Sequence, residues 1–362
     1  MSAPDRALDL REFPLPELEP GAVLLETMFA EICGTDVHLH HGRLAGVPYP
    51  IIPGHVSVGR VRAVSGEVRD VDGGLIEVGM TVTFLDVHET CGRCWYCLVA
   101  KTSTRCPSRR VYGVTYSANE GLLGGWAEMI YLKPGVRILP LPDSLPAERW
   151  IAAGCAMPTA LHAIDRAEIR LGDTVVVQGA GPVGLSVAAL ARLSGASAVH
   201  VVDLHEDRVR AAGTIGIDHA YQIDRAAPRA HIDRVLDSTH GRGADITIEA
   251  TGSPTAISEG IAMTRDGGRY VIAGHYTDTG SVPINPHLEI NRKHLDIRGV
   301  WGVDLSHFYR TRSVLARHGA TLAGGKPWES LISHRYSLDQ INQALVDVES
   351  GQVVKGVIQP RG

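Results

Sequence analysis

Four cysteines within sixteen positions, Cys91-x2-Cys94-x2-Cys97-x8-Cys106, constrain this chain more than any other feature. Three thiols at that spacing can wrap one ion, and the loop that follows returns a fourth to close a tetrahedron. A closed four-sulfur set leaves no position for a substrate, so residues 91–106 are expected to form a structural zinc lobe. Iron–sulfur ligation is the competing chemistry. The first residues, Met1-Ser-Ala-Pro-Asp-Arg6, carry neither a basic nor an apolar leader pattern, which predicts a cytoplasmic protein. In a reducing compartment, clustered cysteines read as metal ligands before disulfides.

The rest of the composition narrows the function classes. The chain has 362 residues, 44% hydrophobic and 21% charged, enough for about two globular domains. Its formal charge of −5 argues against a nucleic-acid partner, which needs a basic face. No apolar run approaches the roughly 18 residues of a membrane span.

Residues 1–150 read as short apolar strands broken by Gly and Pro, as in Ala22–Met28, Val56–Val64 and Gly79–Val87. A helix is expected over Arg149–Ile164. Beyond it, strands at Asp173–Gln178, Ala198–Asp203, Ala220–Gln222, Asp245–Glu249 and Gly268–Ala273 are expected, with helices at Val183–Ser194 and Glu206–Gly213. Alternating strands and helices predict a doubly wound parallel sheet.

The first of these strands runs into Gly179-Ala-Gly181-Pro182-Val183-Gly184 and then a helix. Gly179 permits the tight turn, Gly181 lets the backbone approach a pyrophosphate, and Gly184 lets helix and strand pack closely. The helix start offers free N–H groups to phosphates. Nineteen residues after Gly184, Asp203 ends the next strand. A carboxylate there suits the adenosine ribose hydroxyls and repels a 2′-phosphate, so NAD is favoured over NADP.

The remaining thiols, Cys33 and Cys155, lie far apart in sequence, and His55 follows a Pro-Gly turn. Two sulfurs and one imidazole would leave an open coordination position, as catalytic zinc requires. The Cys33-Gly34-Thr35-Asp36-x-His38 run, the Gly54-His55 turn, the four-cysteine lobe, Gly154-Cys155 and the Gly179–Gly184 fingerprint occur in one order along the chain. In that order the chain resembles the zinc-dependent medium-chain alcohol dehydrogenases, the group that includes threonine and polyol dehydrogenases.

The resemblance implies an α/β protein of two domains. A GroES-like, β-rich catalytic domain would comprise residues 1–157 and 302–362, and a Rossmann NAD-binding domain residues 158–301. It implies hydride transfer between a primary or secondary alcohol and NAD, and two zinc ions per chain. Cys33, His55 and Cys155 would hold the catalytic ion. Thr35 would bond the substrate oxygen, and His38 would pass its proton to solvent. Asp36 would orient His55, while Thr159, Gly274 and His275 would line the nicotinamide end of the cofactor site. Members usually form homodimers or homotetramers, and the segment Leu295–Trp301 is the candidate contact. One departure stands out: where the family reads Gly-His-Glu, this chain has Gly54-His55-Val56. Two other functions fit the motifs: an epimerase or lyase that retains NAD for transient oxidation, and a non-catalytic, zinc-stabilised nucleotide-binding protein.

Overall fold

A computed structural model describes residues 1–217 and 219–361. The chain divides into two compact units, one of Met1–Cys155, Asp304–Gly319 and Glu329–Gly362, the other of Ala156–Val303 and Ala320–Trp328.

The first unit is built on a seven-stranded sheet. Its centre is the long strand Val23–Ile32, which pairs antiparallel with Ser57–Val64, Met129–Leu132 and Gly356–Ile358. Leu25, Val61, Val82, Phe84, Tyr112 and Ile130 fill its main core. That strand leads directly into Cys33, so the central, largely buried strand of the unit carries the first sulfur. A separate two-stranded ribbon, Val87–His88 with Arg110–Val111, brackets the cysteine lobe.

The second unit is a six-stranded sheet whose pairs are all parallel. Its order is His219–Gln222, Ala198–Asp203, Thr174–Gln178, Ala244–Glu249, Thr264–Ile272, Asp296–Gly299. Counted along the chain, that order is 3-2-1-4-5-6, the doubly wound arrangement in which nucleotides bind where the winding reverses. Val175, Val176 and Val177 are fully buried, as a strand covered on both faces requires. Among the described residues, no helix is long and apolar enough to cross a membrane.

Two expectations are corrected. The single helix over Arg149–Ile164 is two helices, Ala147–Ala153 and Ala156–Ala167. Gly154 breaks it with φ +50°, a conformation L side chains rarely adopt. The break is what turns Cys155 out of a helical run. Helices Ala230–Ser238 and Pro254–Met263 escaped the sequence reading.

Candidate active site

Three elements of the first unit deliver the candidate catalytic donors. Cys33 ends the central strand and opens the short helix Gly34–His40, His55 follows the turn at Gly54, and Cys155 sits in the helix break. Cys33 Sγ lies 3.7 Å from Cys155 Sγ and 4.0 Å from His55 Nε2. Thiolate–zinc bonds of about 2.3 Å give tetrahedron edges of about 3.8 Å, so this donor set fits one ion of that kind. The cluster has a fourth member, Glu31, with the four donor atoms all within 4.8 Å of one another.

The electrostatics suit a cation. Cys33 is held well below the ordinary thiol range, first by a hydrogen bond from Cys155 and, against its burial, by His55 and the Thr35 amide. Burial opposes charge on His55, yet the Cys33 sulfur, with Asp36 and Asp86 beyond it, lifts its proton affinity to about 10. Burial and then the Cys33 charge push Asp36 well above the usual carboxylate range. A metal ion on His55 would have to displace the proton held there, so binding would release it.

Asp36 bears on the same imidazole from behind. Its Oδ2 accepts from the Cys33 amide at 2.9 Å, while Oδ1 lies 4.0 Å from His55 Nδ1. Neither Oδ1 nor Nδ1 has a hydrogen-bond partner among the described residues. Thr35 stands in the first turn of the helix, beside Cys33. His38, further along, is half-buried rather than fully at the surface, and burial followed by Arg43 depresses its proton affinity. His41 is bonded to Asp5 and Glu349, at 2.6 and 2.8 Å.

In the lobe, Cys94 Sγ lies 3.5 Å from Cys97 and 3.9 Å from Cys106, and Cys106 lies 3.6 Å from Cys91. These again match tetrahedron edges. The Arg93 amide, first among several causes, draws the Cys91 thiol down to about 6. All six cysteines are free of disulfides.

The second unit places the fingerprint at its winding reversal. Gly179 has φ +97°, and a Cβ there would press on Thr251 and the Ala250 carbonyl, in the loop after the neighbouring strand. A Cβ on Gly184 would fall well inside 3.0 Å of the Gly179 carbonyl. Above Gly181, by contrast, a Cβ would meet only Arg208 Nη1, at 3.9 Å, so the backbone is open to a phosphate. Pro182 takes the first helical position, and Val183 follows it. Asp203 ends its strand 6% exposed, its oxygens accepting from the amides of Ala180 and His205 at 2.7 and 2.8 Å. It thus ties the strand end to the fingerprint turn while each oxygen keeps lone-pair capacity.

Glu249 organises the next two turns. One oxygen accepts from the Thr251 amide and hydroxyl and the Gly252 amide at 2.5–2.7 Å, and the other from the Gly274 amide at 3.0 Å. His275 bonds Thr279 at 3.1 Å and lies 3.9 Å from Glu249. Thr159 lies on the helix Ala156–Ala167, half-buried.

Sequence reading missed both Glu31 and Lys355. The lysine side chain is 2% exposed and paired with Glu31. An acid two residues before a candidate ligand was the available signal; its burial and its pairing with Lys355 come from contacts far apart in sequence.

This fold and site define a protein of two units, with a candidate thiolate–imidazole metal centre in one and the doubly wound sheet typical of nucleotide binding in the other. Known proteins agree. Residues 19–143 match the alcohol dehydrogenase GroES-like domain family, and residues 182–317 the zinc-binding dehydrogenase family. The 5-exo-hydroxycamphor dehydrogenase of Pseudomonas putida is 33% identical over 350 residues, covering 96% of this chain and 94% of that protein. The structure of an alcohol dehydrogenase from Thermotoga maritima superposes with a TM-score of 0.92 at 35% identity, covering 99% and 98% of the two chains. A protein described as a zinc-binding dehydrogenase from Sinorhizobium meliloti, solved with NADP, gives a TM-score of 0.81 at 26% identity, covering 97% and 95%. The chain belongs to the zinc-dependent medium-chain alcohol dehydrogenase family. It is an alcohol oxidoreductase that uses zinc and a nicotinamide nucleotide, and neither the epimerase or lyase reading nor the non-catalytic one finds support among these relatives.

Proposed function

We propose that this enzyme oxidises a primary or secondary alcohol with NAD, reversibly, using two zinc ions per chain. The observation that carries the reading is the convergence of Cys33, Cys155 and His55 at 3.7 and 4.0 Å from three separate elements. Bound there, zinc supplies Lewis acidity toward the alcohol oxygen, and the nucleotide supplies the hydride acceptor. The chain's own residues do the rest. Cys33, Cys155 and His55 Nε2 hold the ion, and Asp36 orients the imidazole through Nδ1. Oxidation to the carbonyl yields one hydride and one proton. Thr35 bonds the reacting oxygen and takes the proton on, and His38 releases it to solvent. Cys91, Cys94, Cys97 and Cys106 hold the second ion, which fixes the lobe.

Gly179, Gly181, Pro182, Val183 and Gly184 receive the pyrophosphate, and Asp203 the adenosine ribose. Its carboxylate favours NAD, although a similar fold was solved with NADP. Thr159, Gly274 and His275 line the nicotinamide end. We assign catalytic function to residues 1–157 and 302–362 and nucleotide binding to 158–301. The substrate is a small molecule, and a secondary alcohol on a cyclic skeleton is the first to try, since a camphor alcohol names one relative. A cytoplasmic homodimer or homotetramer, joined along the edge strand Asp296–Gly299, completes the proposal.

The test is zinc per chain by elemental analysis, paired with an alcohol screen against NAD and NADP. Two equivalents, one lost on Cys33→Ser and the other on Cys94→Ser, support the reading. One equivalent that survives Cys33→Ser refutes it.

A further inference from the structure

Glu31 is the fourth member of the Cys33–His55–Cys155 cluster, and its side chain is fully buried. A buried carboxylate is costly unless it is paired, and this one has two cationic claims on it. One is Lys355, whose Nζ bonds Oε1. The other is the ion that the three neighbouring donors would hold. Oε2 accepts from the Cys155 amide at 2.6 Å, so the carboxylate is tethered directly to a ligand residue. The backbone makes room for it: a Cβ on Gly154 would overlap all three carboxylate atoms.

Charge counting shows why both cations are there. Two thiolates and Glu31 carry three negative charges, and a divalent ion supplies only two positive ones. Lys355 offsets the third; Asp36, also buried behind His55, lies outside this count of the donor atoms. The strand geometry adds a second point. The Glu31 amide donates to the Val56 carbonyl at 3.0 Å, in register with the Ala30–Ser57 pair. Glu31 thus brings a carboxylate to this site from the strand whose backbone bonds to Val56.

We propose that Glu31 is a fourth, exchangeable protein donor to the catalytic metal, and that Lys355 is the competing cation that takes Glu31 when a substrate oxygen occupies the fourth position. The inference rests on the proposed reading that Cys33, His55 and Cys155 hold that metal.

Opposite responses test it. Zinc affinity of the full-length enzyme is measured by chelator competition, and the ligand field by the visible bands of the cobalt(II)-substituted protein. Glu31→Gln should weaken the catalytic-site zinc by about 10–100-fold and shift the cobalt bands. Lys355→Met, which frees Glu31 for the ion, should tighten it by about tenfold or more and lower kcat. Glu31→Gln leaves Lys355 unpaired and costs stability, so the double variant Glu31→Gln/Lys355→Met, with no lone buried charge, serves as the second arm. It should show the weakened affinity and shifted bands of the Glu31→Gln site. Equal weakening by both single variants, wild-type affinity in the double variant, or unmoved cobalt bands in Glu31→Gln would each overturn the proposal and leave an ordinary ion pair. Failure of the underlying metal reading has a different signature, wild-type zinc content in Cys33→Ser.

Discussion

The helix break at Gly154 joins the fold of the first unit to its metal centre, and Gly154→Ala tests that link. Gly154 has φ +50°. Placing an L side chain there costs about 1–2 kcal/mol. The new methyl would also fall inside 3.0 Å of Cδ, Oε1 and Oε2 of Glu31. Lys355 holds one oxygen of that carboxylate and the Cys155 amide the other, so any relief breaks one of these contacts. Overpacking against a group so held adds about 1–3 kcal/mol. The total, about 2–5 kcal/mol, should lower the melting temperature of this unit by roughly 10 °C, at about 2–4 °C per kcal/mol for its size. The relief available is displacement of Cys155, so zinc should be lost from the catalytic site but not from the lobe. Scanning calorimetry and elemental analysis of the purified enzyme read both effects. Gly213→Ala is the control, since its Cβ would meet nothing within 4 Å on the helix Glu206–Thr214. It should be neutral, or stabilising by up to about 1 kcal/mol. A Gly154→Ala enzyme that melts within about 2 °C of wild type and keeps both ions would refute the reasoning.

Three further outcomes follow from the site and its surroundings. Cys94→Ser should remove one zinc equivalent and make residues 91–106 protease-sensitive, because binding energy in such a lobe is folding energy; unchanged zinc content and proteolysis would contradict a metal role. Thr35→Val should lower kcat by about 10²–10⁴-fold with zinc content and nucleotide binding intact, a split readable by steady-state kinetics and nucleotide titration. His200 is 1% exposed and stacked on His219 at 4.5 Å, and burial followed by His219 depresses its proton affinity to about 4. Above its unfolded value of about 6.5 the ring is neutral in both states, and stability is lost as pH falls from there toward the folded value, by up to about 3 kcal/mol. His200→Phe should flatten that part of the melting-temperature profile against wild type, and an unchanged slope would clear His200 of the effect.

What the sequence carried and what it hid divide along one physical line. The cysteine lobe and the Gly179–Gly184 turn were legible because each is local: a few residues at fixed spacing, bound by steric or coordination rules that no distant contact can relax. The parallel strands were legible for a related reason, since a strand covered on both faces must be apolar throughout, as Val175, Val176 and Val177 are. The helix break was not, because a short helix, a glycine and a second helix leave almost the same periodic trace as one longer helix. What selects the break is Glu31, 123 positions upstream of Gly154, whose carboxylate fills the space that a side chain there would need. Glu31 itself was hidden by the same non-locality. In sequence it lies just past the expected strand Ala22–Met28, with no local pattern that marks it as buried. Only the pairing of that strand with Val56, and the return of the chain 324 positions later with Lys355, make it a buried, balanced group beside three metal donors. The Val56 departure therefore has two meanings. As a motif comparison it subtracts a carboxylate from the site. In three dimensions it marks the strand against which a carboxylate has been placed from the other side, so the charge of a metal centre has to be counted over the folded neighbourhood and not along the motif.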